Sequence, residues 1–214
     1  MTVPVRINAV LTGKALPLRG SERSAIRKSA LTGAVAIGWL GLAGDEQADP
    51  RFHGGPDKAV HHYAFDNYDL WRTHVPDHPL LSAPGAFGEN ISTVGLTEET
   101  VCIGDRYRIG SALVEVSQPR QPCWKQAHVM EWPTLPKLML REAKSGWYYR
   151  VIEEGAVAAG DMCALIERPH PDWSVARIFR LLMHKTAAPD KAALRALDVL
   201  EAEWRGLAVH LAAA

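Results

Sequence analysis

The run Ala112-Leu113-Val114-Glu115-Val116-Ser117-Gln118-Pro119-Arg120-Gln121-Pro122-Cys123 decides how this chain is read. Its first half alternates roughly at period two and follows Gly110, the pattern of a half-buried strand. Its second half is stiff, because Pro119 and Pro122 bracket Arg120 and each proline restricts its own φ and that of its predecessor. Cys123 is therefore presented by a rigid loop at the end of a strand. Working outward, Tyr107-Arg108-Ile109 forms the neighbouring strand, Arg6 to Leu11 repeats the alternation, and Gly33 to Leu40 and Ala59 to Ala64 add two more. Helical signals here are few: Asp66 to Trp71 reads as a short helix and Leu96 to Glu99 as a single capped turn. Many short strands separated by Gly and Pro predict a mainly β fold with added helices, built on a closed or nearly closed barrel.

The pattern changes after Pro169-His170-Pro171. Asp172 is placed to cap a helix starting at Trp173, with Val175, Ile178, Phe179 and Leu182 at helical spacing. Pro189 suits the first turn of a second helix carrying Leu194 and Leu197, and Leu200 to Ala214 supplies a third. The expected organisation is a barrel over 1–168 and a small three-helix subdomain over 169–214, with the Trp173 to Leu182 stripe as the bundle's core.

The chain has 214 residues, with 24 Lys and Arg against 24 Asp and Glu. Zero net charge gives no bulk attraction for a nucleic acid polymer or an anionic membrane, so the expected partner is a small molecule. The uncharged run Ser29 to Gly44 is shorter than the roughly 20 residues of a membrane span and fits a pair of buried strands. The first residues lack the order of a secretory signal. Three cysteines are an odd number in a chain large enough to bury its own core, which suits a reducing compartment, with cytoplasm the expected location.

Chemistry concentrates in two places. Gly44-Asp45-Glu46-Gln47-Ala48-Asp49, followed by His53-Gly54-Gly55-Pro56-Asp57-Lys58, combines paired glycines with His and Lys, a composition suited to an oxyanion or phosphate. Asp45 and Asp49 are expected to hold the His53 segment by accepting backbone N–H bonds. The second place is Cys123, where Arg120 three positions away favours the thiolate that attacks or binds a soft metal. Cys102 and Cys163 lie in apolar runs and read as buried small hydrophobes. His61 and His62 adjoin in a strand and must point to opposite faces, so they cannot chelate one ion together.

The ordered set Gly44-Asp45-Glu46-Gln47-Ala48, His53-Gly54-Gly55-Pro56-Asp57, Phe87-Gly88-Glu89-Asn90, Gly104-Asp105 and Ser117-Gln118-Pro119-Arg120-Gln121-Pro122-Cys123 resembles the MOSC domain, the molybdenum cofactor sulfurase C-terminal type. Within that superfamily it looks most like the YiiM-like proteins, which protect cells against N-hydroxylated bases such as 6-N-hydroxylaminopurine. Ser24-Ala25-Ile26-Arg27-Lys28 and Gly146-Trp147-Tyr148 extend the likeness, which covers about residues 4 to 167. The resemblance implies a MOSC-type β-barrel followed by a small C-terminal helical bundle. It implies a molybdenum cofactor (molybdopterin) whose metal takes the sulfur of Cys123.

By position, the resemblance makes Cys123, His53 and Lys58 the catalytic set. Lys28, His53, Gly54, Gly55, Lys58, Glu89, Asn90, Arg120 and Cys123 become the residues that hold cofactor or substrate. The implied activity is reduction of an N-hydroxylated nucleobase or similar compound to the amine and water. No dinucleotide fingerprint and no paired-cysteine motif is present, so electrons are expected from a separate reductase, a flavoprotein. The alternative is a carrier that binds the cofactor without turnover. A third reading is a hydrolase pairing Cys123 with His53 or His128, which needs a base within about 3 Å of the thiol. Expected partners are thus the N-hydroxylated substrate and the reductase, with no nucleic acid polymer, no membrane, and a homodimer allowed.

Overall fold

The alternating run at 112–119 becomes the longest strand but one, and the barrel is built around it. The computed structural model describes residues 3–184 and 191–213. Its strands are β1 (Val5–Gly13), β2 (Leu16–Arg19), β3 (Glu22–Ser24), β4 (Lys28–Ala30), β5 (Val35–Gly38), β6 (Gly41–Leu42), β7 (Val60–Ala64), β8 (Ile91–Thr93), β9 (Arg106–Ile109), β10 (Ala112–Pro119), β11 (Trp147–Glu153), β12 (Gly155–Val157) and β13 (Met162–Glu167). Its helices are α1 (Pro50–His53), α2 (Asn67–His74), α3 (Trp124–Val129), α4 (Leu135–Glu142), α5 (Val175–Met183), α6 (Lys191–Arg195) and α7 (Ala202–Ala213), with 3₁₀ turns at Pro56–Lys58 and Pro79–Ser82.

Seven strands close on themselves in the order β13-β9-β10-β11-β7-β8-β1, with β1 pairing back to β13. The closing seam is short, Val5 against Cys163 and Arg6 against Met162. Neighbours are antiparallel except β7 and β8, which run parallel. Closure leaves no unpaired edge in the ring itself. β4 adds to β1 outside the ring, β12-β5-β6 form a small flanking sheet, and β2-β3 form a hairpin.

Ser29 to Gly44 departs from the expected pair of buried strands. It gives β5 and β6 in the flanking sheet, and the turn between them leaves Trp39 and Leu40 53% and 65% exposed. Three helices, α1, α3 and α4, arise where none was expected; each is short and begins at or near a proline, so a periodic pattern has little length in which to show. Ser174, and not Asp172, caps α5, its side chain accepting the Arg177 N–H at 3.1 Å. Asp172 instead offers its backbone carbonyl to Arg177. The expected role of Pro189 lies outside the described residues.

One apolar cluster contains barrel residues such as Val116 and Tyr149 together with Phe179, Leu194 and Trp204 from the C-terminal helices. Arg168 ties that segment to the barrel with a two-pronged contact to the buried Asp105, Nε to Oδ1 at 2.9 Å and Nη2 to Oδ2 at 2.6 Å. A second cluster, around Tyr63, Tyr68, Trp71 and Phe87, packs α2 and α4 against the outside of β7. No helix among the described residues is long and apolar enough to cross a membrane.

His62 sits inside the barrel, between the Tyr149 hydroxyl at 3.0 Å and the Thr93 hydroxyl at 2.9 Å. Burial pushes its pKa down to about 3, so it is a neutral, doubly bonded core group. The unfolded chain, with an imidazole near 6.5, takes up the proton first as pH falls. The stability contributed by neutral His62 is therefore complete above pH 6.5 and drains away toward pH 3. The urea midpoint is expected to drop between pH 7 and pH 4.5, and more shallowly in a His62→Gln variant. Identical pH profiles for the two proteins would refute the assignment.

Candidate active site

Three strands assemble the site through one row of their register. Gln118 on β10 lies opposite Tyr148 on β11, which lies opposite His61 on β7. The adjacent row, Trp147 with His62, points into the barrel, where the two rings stack 4.4 Å apart. Since successive side chains take opposite faces, the first row turns outward. Its members line a cleft at the end of the barrel. A register shift between Val116 and Gln118 bends β10 just before it ends at Pro119, a common device beside sites.

The cleft has two chambers, both open to solvent. One is backed by Lys28, Asp45 and Asn90, the other by Gln118 and the start of α7. They share a wall made of His53, Lys58, Arg120, Cys123, Lys125 and Tyr148. Both chambers therefore look onto the same sulfur. Cys123 is half-buried at the head of α3, its N–H donating to Gln126 Oε1 at 3.2 Å. Its Sγ stands 4.0 Å from His53 Nε2.

Arg120 is only 6% exposed, and its Nη1 is buried with no hydrogen-bond partner among the described residues. A buried, unsatisfied guanidinium donor is costly unless a ligand meets it. Its backbone N–H bonds the Gly146 carbonyl at 3.0 Å. Gly146 has φ +79°, and a Cβ there would meet the His62 carbonyl at 2.4 Å, which explains the glycine in the Gly146-Trp147-Tyr148 motif.

Behind the first chamber, Lys28 Nζ lies 2.5 Å from Asp45 Oδ2, with both side chains under a tenth exposed. Asp45 also accepts from the Gly13 N–H at 2.7 Å and from Asn90 Nδ2 at 2.8 Å, while Asn90 Oδ1 accepts from the His61 N–H at 3.0 Å. Burial pushes the Lys28 ammonium below its usual range even against the pull of Asp45. Burial, reinforced by Arg120, Lys125 and Lys58, holds His53 down to about 4. Burial and then Arg120 hold His61 well below the usual imidazole range. At neutral pH the wall shared by the two chambers thus presents Lys58, Arg120 and Lys125 beside an uncharged His53, an environment for an anion between the carboxylates that line each chamber's far side.

Lys28, His53, Lys58, Asn90, Arg120 and Cys123 meet on the cleft as expected from the sequence. Glu89 does not; its carboxylate accepts from the Tyr68 hydroxyl at 2.6 Å and the Gly85 and Phe87 N–H groups at 2.7 and 3.0 Å, shaping its own loop. Gly54 and Gly55 also stand off the wall, and Gly55 takes φ +96° to turn the chain ahead of Pro56. Asp45 braces Gly13, Lys28 and Asn90 and not the His53 segment, whereas the backbone carbonyl of Asp49 does accept the His53 N–H at 2.9 Å. Sequence reasoning missed Gln118, Tyr148, Lys125 and His61. The parity of β7 was the available signal, since it already sent His61 and His62 to opposite faces.

A MOSC domain model matches residues 49–164. The chain is 43% identical over 159 residues to the protein YiiM of Escherichia coli, covering 74% of this chain and 71% of that one. It is 42% identical over 166 residues to a protein named reductase from Gibberella moniliformis, covering 77% of this chain but only 29% of that longer protein. The crystal structure of YiiM from Geobacillus stearothermophilus superposes with a TM-score of 0.80 at 34% identity, covering 98% of this chain and 100% of that one. A cationic cleft at a barrel's end, a motif cysteine on its wall and these matches agree: the chain belongs to the MOSC domain family, as a YiiM-like member.

Proposed function

We propose that the protein is a molybdenum-cofactor-dependent reductase of N-hydroxylated nucleobases or related N-hydroxy compounds. The observation that carries this reading is the Cys123 sulfur on the wall of a cationic cleft beside the unpartnered Nη1 of Arg120. These residues fit an anionic, metal-bearing pterin: a soft sulfur donor for the metal, and a buried donor with lysines around it for a phosphate. No group of three or more His, Cys, Asp or Glu side chains able to hold a metal occurs among the described residues. Cys123 would therefore be a single protein ligand, with the pterin's own sulfurs beside it.

When bound, the cofactor supplies the two-electron redox chemistry. The chain's part is to fix it and to shape the space around it. Cys123 ligates, Arg120, Lys58 and Lys125 hold the anionic portion, and the Lys28–Asp45–Asn90 network keeps the chamber's back wall rigid. His53 stands beside the sulfur and Tyr148 lines the same wall, and neutral His53 acts through hydrogen bonds without adding charge. In the overall reaction the N–O bond breaks, two electrons and two protons are consumed, and the amine and one water form. The electrons come from a separate flavoprotein reductase. A cysteine–histidine hydrolase is disfavoured, because a 4.0 Å thiol–imidazole contact is longer than the roughly 3 Å of an activated pair and an imidazole held down to about 4 is a weak base.

Protein made in a host that synthesises the cofactor is expected to contain molybdenum and pterin, and to reduce 6-N-hydroxylaminopurine to adenine with reduced viologen as artificial donor. Cofactor content without turnover would make the protein a carrier. Absence of both would overturn the reading.

A further inference from the structure

The second chamber differs from the first in what it offers a ligand. Gln118 is 1% exposed, and its Oε1 is buried with no hydrogen-bond partner among the described residues. It is an acceptor, in a cleft whose other buried unpartnered side-chain atoms among the described residues are Arg120 Nη1, a donor, and His61 Nε2 on the first chamber's wall. A buried amide oxygen left without a donor is costly, so the natural completion is an N–H from a bound molecule. Glu22, Asp49 and Glu203 line this chamber against Lys58, Arg120 and Lys125 on the shared wall, with Glu22 3.5 Å from Lys125, so its charges balance and suit a neutral base with N–H donors.

The far wall is held in place. The Arg150 guanidinium bonds the Val199 carbonyl at 2.8 Å, and the Glu201 N–H bonds the Ser117 carbonyl at 3.0 Å, one residue before Gln118. Glu201 then caps α7, its Oε2 accepting the Glu203 N–H at 2.9 Å. Trp204, 2% exposed, is thereby fixed against the chamber, which Trp124 of α3 also lines. Both α7 residues lie outside the stretch matched by the MOSC model. This wall is therefore contributed by the part of the chain beyond the shared domain.

We propose that the second chamber is the substrate subsite, in which Gln118 Oε1 accepts an N–H on the edge of a planar heterocyclic base while the α7 wall confines the ring beside Cys123. The inference rests on the proposed reductase activity and adds the residue that selects among N-hydroxy compounds. A base with an N–H beside its reacting nitrogen satisfies Gln118; a dialkyl hydroxylamine, which has none, leaves it unpaired.

The test uses the cofactor-loaded full chain as wild type, Gln118→Leu and Glu203→Gln, with 6-N-hydroxylaminopurine and N,N-diethylhydroxylamine as substrates. Gln118→Leu is expected to raise KM for the purine about tenfold with kcat and molybdenum content held, and to leave KM for the dialkyl compound unchanged. Glu203→Gln, at an exposed position, is expected to shift the purine KM in the same direction by less. An unchanged purine KM in Gln118→Leu, or an equal rise for both substrates, overturns the proposal while leaving the reductase reading intact. If the wild type reduces neither compound, the reductase reading fails and the subsite is judged by adenine binding, read from quenching of Trp124 and Trp204 fluorescence. Weaker adenine binding in Gln118→Leu then supports the subsite, and equal or absent binding in both proteins overturns it.

Discussion

Cys123→Ala protein is expected to reduce N-hydroxylated substrate at less than about one hundredth of the wild-type rate, and to purify with little molybdenum. The scale follows from metal sites generally, where loss of a supporting outer-shell partner already costs about 10–100-fold, so loss of the one protein ligand costs at least that. The fold should survive. Cys123 Sγ stands 4.0 Å from His53 Nε2 and faces the Gln126 backbone N–H in the capping box of α3, a weak sulfur cap, while the reciprocal bond from the Cys123 backbone N–H to Gln126 Oε1 remains in the variant. Far-UV circular dichroism and melting temperature are the controls. Cys102→Ala and Cys163→Ala should behave in the opposite way, keeping metal and turnover, because burial pushes those thiols up to about 11 and 12 and neither lines the cleft. Full turnover in Cys123→Ala would remove the assigned metal role.

The largest expected loss of stability comes from Asp45→Ala. This carboxylate is the counterion of a lysine 8% exposed, and it also accepts from the Gly13 N–H and from Asn90. Removing it strands an ammonium and an N–H in an environment that already penalises the charge on Lys28. Breaking a buried pair by deleting one partner typically costs about 3–5 kcal/mol, which for a chain of this size lowers the melting temperature by about 6–20 °C. The double variant Asp45→Leu with Lys28→Met should recover much of the loss, since an apolar pair of similar volume leaves no unpaired charge. Thermal melts of the single and double variants measure both effects. If Asp45→Ala melts within 2 °C of wild type, Lys28 is not dependent on its partner, since roughly that shift is what 1 kcal/mol produces.

Much of the barrel was legible because its strands obey period two. β1, β7, β9 and β10 stand where the alternating runs predict them, and the helical C-terminal segment begins within a few residues of its expected start. The weak points share a physical cause. α3 and α4 are too short for a 3.6-residue pattern to outvote flanking prolines, and the flanking sheet sends only Ile37, Leu42 and Val157 into the core while its turn leaves Trp39 and Leu40 exposed, so the uncharged run reads as more buried than it is. The site was legible where local chemistry was unusual, at His53, Lys58, Arg120 and Cys123. It was not legible where tertiary pairing makes an ordinary residue special. Nothing in the surroundings of Gln118 or Tyr148 in the chain announces that each will lie opposite the next across three strands. Glu89, with a carboxylate beside Asn90, looked like a ligand from sequence, but three donors of its own neighbourhood claim it.

His61 and His62 also bear on how this chain can vary. One belongs to the cleft and the other to the barrel interior, separated by a single peptide unit. Insertion or deletion of one residue in β7 would exchange their faces, placing an imidazole without Thr93 and Tyr149 inside the barrel and removing its neighbour from beside Tyr148. The length of this strand is therefore held as tightly as its side chains, all five of which are buried.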